Sequence, residues 1–531
     1  MANGSPSVAD VVARTIASGG TRFAFGHPGG EVVLLIDALR RSGVPFLLTH
    51  HETSAAFMAL GHGEITGIPG VCVATLGPGA TNLVTGVASG LLERAPLLAL
   101  TGALSTAAPA GTTHQALDLN ALYRPVTKAS WAVRRDDAAS TVRSALDLTR
   151  RPQRGSVHLS VPADVAAARA ASPEDPAGSR KPALVLPEPD GMDRAARILA
   201  TASRPAIIVG LGAVQTNAAE PLRALARALQ APVATLPKSK GVFPEDDPWF
   251  AGTLEMAGDD LVVEFLTDAD AIIAVGVDPV EFDKPWRLQA PVIRVDEIPD
   301  PDGYVPVEVD LAGDVPATLQ VLAQSSHPSG WPSDSTTSLR ARLRALLRPD
   351  GDRLHPTDVV DTVRAALPRE AIATSDVGAH KMLVGQAWSS YAPRTFFMAN
   401  GLSSMGYSIP VATAACLLQP ERSVVAFVGD GGLTMYLGEL ETLVRAGVDL
   451  LIVVFADRSL ELIRRAQLRR EVPTEGTSFA DPDFSALGSV FGITSVEVDS
   501  KATLRKALPR LLTSHGVRLL AVRIDGDDYR F

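Results

Sequence analysis

Two aspartates close two apolar runs in the last third of the sequence. VVAFVGDGG, residues 424–432, sets Asp430 between glycines, and LLIVVFADRS, residues 450–459, carries Asp457. They stand 457 − 430 = 27 residues apart, the length of one strand–helix–strand unit. Strands joined that way run parallel, so both carboxylates fall on the carboxyl edge of one sheet, where open α/β sheets bind ligands. Gly429, Gly431 and Gly432 let backbone N–H groups close around an anion. Two carboxylates, a backbone carbonyl, water and a diphosphate would complete an octahedral Mg²⁺ site. The GDG triplet alone also fits a turn whose aspartate caps a helix. The second acid, one unit further on, favours the cation site.

The elements that must position these acids repeat along the chain. VCVAT and LLALTG flank the helical stretch TNLVTGVASGLLE, and VVAFVGD and LLIVVFAD flank GELETLVRAG. Between these thirds, AIIVGLG and AIIAVGVD read as strands with AEPLRALARALQ as a helix. Such alternation predicts α/β architecture with parallel sheets covered by helices on both faces. Pro-rich and Ser-rich stretches at 171–191 and 325–338 read as linkers. They predict three domains, at 1–170, 190–325 and 350–531. GLGA at 210–213 lacks the glycine spacing and the later acid of a dinucleotide motif, so it reads as a tight strand–helix turn.

Bulk composition narrows the function. A chain of 531 residues exceeds one hydrophobic core. A net charge of −10 argues against nucleic acid or an anionic membrane as partner. The two cysteines, Cys72 and Cys416, sit in apolar surroundings, which excludes a disulfide framework and favours a reducing compartment. The start MANGSPSVAD lacks the pattern of a secretion signal, and no apolar run approaches ~20 residues. A cytoplasmic protein that does not enter the membrane is expected.

Further stretches resemble one family. HHETSAAFMALGHGEITGIPGVCVATLGPGATN (50–82), FGHPGG (25–30), HQALDLNALYRPVTK (114–128), SDVGAHKM (375–382) and GLSSMGYSIPVA (401–412) join the Asp430–Asp457 pair in this. Together they resemble the thiamine diphosphate-dependent enzymes, most of all the large subunit of acetolactate synthase and its relatives. The likeness runs through nearly the whole chain and is strongest in the outer thirds. It implies an N-terminal pyrimidine-binding domain, a central α/β domain and a C-terminal diphosphate-binding domain.

The resemblance also implies roles. Asp430, Asp457 and the Ser459 carbonyl would hold Mg²⁺, and Glu52 would bond the pyrimidine ring of thiamine diphosphate. Met405 would wedge between the cofactor's two rings, with backbone groups of Ser403 and Met405 on the pyrimidine edge. Gly378, His380, Gly431 and Gly432 would contact the diphosphate. Pro28, Gly29, Thr75, Pro78, Asn82, Val377, Gly429, Leu460, Glu461 and Leu462 would line the remaining cofactor pocket. Gln115 would lie near the substrate carbonyl beside His114, with His27, His50 and His51 as proton carriers.

The chain departs from the family pattern at Leu76, Ser403, Ala456 and Glu461, and at Ala466, where a Trp selects the larger acceptor in acetolactate synthases. The implied activity is decarboxylation of a pyruvate-like 2-keto acid and transfer of its acyl-anion equivalent to a carbonyl acceptor other than the standard one. The alternatives are a simple 2-keto acid decarboxylase of the benzoylformate or pyruvate decarboxylase type, or a non-catalytic cofactor-binding homologue. FAD is possible but not favoured, because the chain is compact for a flavin-holding member. A homodimer or homotetramer with active sites at the subunit interface is implied.

Overall fold

Eighteen strands form three sheets of six in a computed structural model that describes residues 6–171, 185–300 and 303–530. Most of the first expected linker, residues 172–184, lies outside the described residues. The first sheet contains β1 (Ala24–His27), β2 (Phe46–Leu48), β3 (Gly70–Ala74), β4 (Leu97–Ala103), β5 (Ser130–Ala132) and β6 (Ser156–Pro162). The second contains β7 (Pro205–Val209), β8 (Val233–Thr235), β9 (Phe250–Thr253), β10 (Ala271–Val275), β11 (Val292–Asp296) and β12 (Val307–Ala312). The third contains β13 (Ile372–Ser375), β14 (Phe396–Met398), β15 (Val424–Gly429), β16 (Leu450–Ala456), β17 (Thr494–Val498) and β18 (Val517–Arg523). Every pairing within these sheets is parallel. This is the α/β architecture the alternating runs predict. Strands such as LLIVVFA are buried at every position because helices cover both faces.

The strand orders decide where ligands bind. They run β2-β1-β3-β4-β6-β5, β12-β11-β10-β7-β8-β9 and β14-β13-β15-β16-β18-β17. In each sheet the connections change direction at one point: between β1 and β3, between β10 and β7, and between β13 and β15. A crevice opens at the carboxyl end of such a switch point. In the central sheet the chain's own groups meet there: the backbones of Gly212 and Gly276 touch, and buried Glu281 accepts the Leu211 N–H at 2.8 Å. The first and third sheets keep their switch points lined by the residues singled out above.

The stretch 325–338 is not a free linker. Trp331 is buried, stacks on Phe265 with centroids 5.0 Å apart and donates its indole N–H to the Pro205 carbonyl. A helix, Ser335–Leu347, starts inside the stretch and buries Leu339 and Leu343 with the core of the central sheet. Proline and serine content marks a break in periodicity, but one tryptophan and two leucines at i and i+4 are enough to dock the segment.

A buried ionic cluster ties the three sheets together. Lys238, after β8, lies 2.5 Å from Glu64 and from Glu93, both of the N-terminal region. From the C-terminal region, the Tyr407 hydroxyl donates to Glu64, and the Asn400 N–H donates to Glu93 at 2.8 Å. Burial works against the Lys238 charge, but the two carboxylates outweigh it and raise its pKa. Lys238→Met is therefore expected to destabilise the chain by about 3–5 kcal/mol, since two carboxylates stay buried without their cation. Urea unfolding monitored by circular dichroism measures this. A loss below about 1 kcal/mol, the worth of a surface pair, would show that the cluster is not a structural lock.

Among the described residues no helix is long and apolar enough to cross a membrane.

Candidate active site

β15 and β16 pair with Gly429 opposite Phe455, so Asp430 and Asp457 emerge side by side from neighbouring strands. Asp430 is the first residue of the short helix Asp430–Met435 and is 1% exposed. Its carboxylate accepts N–H bonds from Gly431 at 2.8 Å and from Arg458 at 2.7 Å. Asp457 accepts from the Ser459 N–H at 2.9 Å. Burial raises the pKa of both acids. Asp457 is pushed up to about 7, with the neighbouring Asp430 and then Glu461 adding repulsion. A pair that repels in this way gains from a cation placed between its members.

The loop after Asp457 is held in an uncommon shape. Arg458 has φ +59°, rare for a residue with a side chain. Leu460 N–H donates to the Thr477 carbonyl at 2.7 Å and Phe479 N–H to the Arg458 carbonyl at 3.3 Å, which pins the chain on both sides of Ser459.

The acids face a cavity of about 560 Å³. Its lining includes Val377, Gly378, His380, Met405, the glycines 429, 431 and 432, Ser459 to Ile463, and Tyr529. His380 Nε2 and Ser459 Oγ are buried there without a hydrogen-bond partner. Burial drives the His380 pKa down to about 3, so its ring is neutral. A Cβ on Gly432 would collide with the Asp376 carboxylate, so only glycine lets this backbone pack against that acid at the cavity. Two repelling carboxylates, glycine amides and orphaned polar atoms fit a diphosphate with a divalent cation. No group of three or more His, Cys, Asp or Glu able to hold a metal occurs among the described residues. The remaining ligands of a cation would be backbone and diphosphate oxygens.

Asp376 was not singled out from the sequence as a site residue. It follows β13 directly, across the switch point from Asp430, so the strand-end rule that found the other two acids would have found it. Its carboxylate accepts the N–H groups of Gly406 at 2.9 Å and Tyr407 at 3.2 Å, which fixes the loop carrying Met405. Burial moves its pKa up to about 6, although those N–H bonds oppose the shift. In the same loop Ser403 adopts φ +51° and donates its hydroxyl to the Asn400 carbonyl at 2.7 Å.

The other candidates gather at the switch point of the first sheet. Glu52 begins the helix Glu52–Thr66, is buried, and accepts the Asn82 side-chain N–H at 2.9 Å. Thr53 Oγ1 donates to the Asn82 carbonyl at 2.6 Å, which locks this helix to the helix Pro78–Leu92. Gly79 packs on Thr75, where a Cβ would lie 2.8 Å from the Thr75 methyl, with the second Glu52 oxygen 3.4 Å from the same point. Gly29 packs on Thr75, whose hydroxyl donates to Glu31 at 2.5 Å, and Pro28 is exposed beside them. Gln115, at φ +53°, folds over Gly77 at φ +61°.

The histidines divide. His27 Nδ1 lies 2.8 Å from the Thr49 carbonyl, so its proton sits on Nδ1 and Nε2 keeps a lone pair. His51 Nδ1 caps the Glu52 helix by accepting the Thr53 N–H. His50 turns to Glu441 at the surface, 2.8 Å away, and His114 is exposed. None of these N-terminal residues lines the Asp430 cavity within one chain.

Three family profiles align: thiamine pyrophosphate enzyme, N-terminal TPP binding domain, over residues 6–122; the central domain over 192–322; and the C-terminal TPP binding domain over 376–522. The chain is similar to a catabolic acetolactate synthase of Raoultella terrigena, at 31% identity over 98% of this chain and 95% of the relative. It is equally similar to the acetolactate synthase isozyme 2 large subunit of Escherichia coli, at 31% over 97% and 95%. A probable 2-ketoarginine decarboxylase of Pseudomonas aeruginosa matches at 31% over 96% and 92%. The chain belongs to the thiamine pyrophosphate-dependent enzymes, in the acetolactate synthase-like family.

Proposed function

We propose that this enzyme decarboxylates a pyruvate-like 2-keto acid and joins the resulting two-carbon unit to a carbonyl acceptor. The observation that carries the reading is the Asp430–Asp457 pair at the edge of a cavity lined by unpartnered polar atoms. Thiamine diphosphate, when bound, supplies the electron sink for loss of CO₂. Asp430, Asp457 and the Ser459 carbonyl would hold Mg²⁺, and the amides of Gly431 and Gly432 together with His380 would hold the diphosphate.

Glu52 keeps one carboxylate oxygen on Asn82, and the other would hold a proton toward the pyrimidine. Met405, in the loop fixed by Asp376, would wedge between the cofactor's two rings. Gln115, in its constrained backbone, would orient the substrate carbonyl, with His27 Nε2 as a proton acceptor nearby. Because none of the N-terminal candidates lines the Asp430 cavity within one chain, a site would combine residue 52 of one copy with residues 430 and 457 of another. The enzyme would then be a homodimer or homotetramer with active sites at the subunit interface, and its domains would run 1–170, 190–325 and 350–531.

A second reading, simple decarboxylation, has its own support. The probable 2-ketoarginine decarboxylase, at 31% identity, is as similar as the two synthases at 31%, and Ala466 stands where the resemblance would place the acceptor-selecting Trp of the synthases. Incubation of the Mg²⁺- and thiamine diphosphate-loaded enzyme with 2-keto acids, alone and with aldehydes, separates the two by mass spectrometry. Release of CO₂ with a carbon–carbon-bonded product is expected. Aldehyde as sole product would favour the decarboxylase, and no CO₂ from any 2-keto acid would overturn both.

A further inference from the structure

The C-terminal family profile ends at residue 522, and the described residues continue beyond it to 530. After β18 a single turn, Gly526–Asp528, brings the tail against the end of β16, where Ile524 N–H donates to the Ala456 carbonyl and Tyr529 meets Phe455. Arg465 donates to the carbonyls of Gly526 at 2.7 Å and Tyr529 at 3.1 Å, and Arg464 pairs with Asp527. Both arginines are anchored on Glu461, at 2.6 Å and 2.7 Å. That carboxylate leaves no space for a side chain at 526, where a Cβ would lie 2.6 Å from it. From the opposite side Arg353 reaches Asp525 at 2.9 Å and Asp528 at 3.0 Å. Glu461, a departure from the family pattern at the sequence level, thus organises the strap that holds the tail.

The strap delivers one side chain. Tyr529 is 2% exposed and packs edge-on against Phe455, which in turn stacks on His380. It lines the same cavity as Asp430, Asp457 and Glu461. Burial, then the negative charges of those three acids, raise its pKa well above the ordinary value, so the phenol stays protonated. A neutral O–H donor beside the carboxylates of this cavity adds to its glycine amides and is suited to an anionic ligand.

We infer that Tyr529, held in place by the tail 525–529, is a cofactor-binding residue whose hydroxyl donates to the diphosphate end of thiamine diphosphate. The inference rests on reading the Asp430 cavity as the diphosphate site. Tyr529→Phe keeps the ring and its packing and removes only the donor. Titration calorimetry of the full-length, cofactor-stripped enzyme with thiamine diphosphate and Mg²⁺ is expected to show about tenfold weaker binding in the variant, as for loss of a hydrogen bond to a charged group. Thermal unfolding without cofactor is expected to be unchanged, with a smaller upward shift on adding it.

Equal affinity in the two proteins would overturn the inference while leaving the site reading intact. A Tyr529→Phe variant already destabilised without cofactor would also overturn it, by making the hydroxyl a structural group. Absence of binding in the unmodified enzyme would instead overturn the site reading.

Discussion

Glu52→Gln leaves the fold intact and slows exchange of the thiazolium C2 proton by about 10²–10⁴, the usual contribution of a positioned acid–base group. The fold should survive because a glutamine oxygen can still accept the Asn82 N–H and because the clamp between the two helices runs through Thr53, not Glu52. The proton-holding role should not survive, because an amide cannot share a proton with a ring nitrogen in the way a carboxylate can. Hydrogen–deuterium exchange of bound thiamine diphosphate, quenched in acid and read by NMR, gives the rate directly. An unchanged rate would remove Glu52 from the chemistry and leave it as a buried helix-start residue.

Asp457→Asn separates binding from stability. The carboxylate is an expected metal ligand, so Mg²⁺ and thiamine diphosphate affinity should fall together by about a hundredfold, at or beyond the loss seen when groups supporting a metal ligand are removed. The cofactor-free protein should be no less stable than the unmodified one, because the change removes the repulsion between Asp457, Asp430 and Glu461 that pushes the Asp457 pKa up to about 7. Calorimetric titration and thermal unfolding of the stripped protein measure the two effects. Full cofactor retention after dialysis against a chelator would contradict the ligand role. A large fall in stability without cofactor would mark Asp457 as a structural group.

The sheet that carries these acids was legible because its strands are buried on both faces and therefore read as unbroken apolar runs. Parallel connection then fixed which end of each strand the acids occupy. Gly29 and Thr75, at the switch point of the first sheet, came only from the family resemblance. What stayed hidden depends on contacts between residues far apart in the chain. Lys238 meets Glu64 and Glu93 across 174 and 145 positions, and no local pattern announces such a meeting. Trp331 was masked by its Pro and Ser neighbours, whose composition signals a loop whether or not the loop is packed. Glu461 read as a pocket-lining residue and a departure from a family pattern, but not as the anchor of a strap, since the tail held by its neighbour Arg465 lies more than 60 positions on. Tyr529 lacked even that, standing in a short polar tail with no periodicity. His50, two positions before Glu52, bonds Glu441 at the surface, a contact 391 positions away that no local pattern signals.

The shared-site arrangement is tested most directly by mixing two inactive variants, Glu52→Gln and Asp457→Asn, under conditions that exchange subunits. If residue 52 of one copy serves the acids of another, each mixed dimer regains one intact site. Turnover of a 2-keto acid should then recover to about a quarter of the unmodified value, since half of the dimers are mixed and each holds one good site of two. A mixture that exchanges subunits and stays inactive would contradict an active site built from two chains.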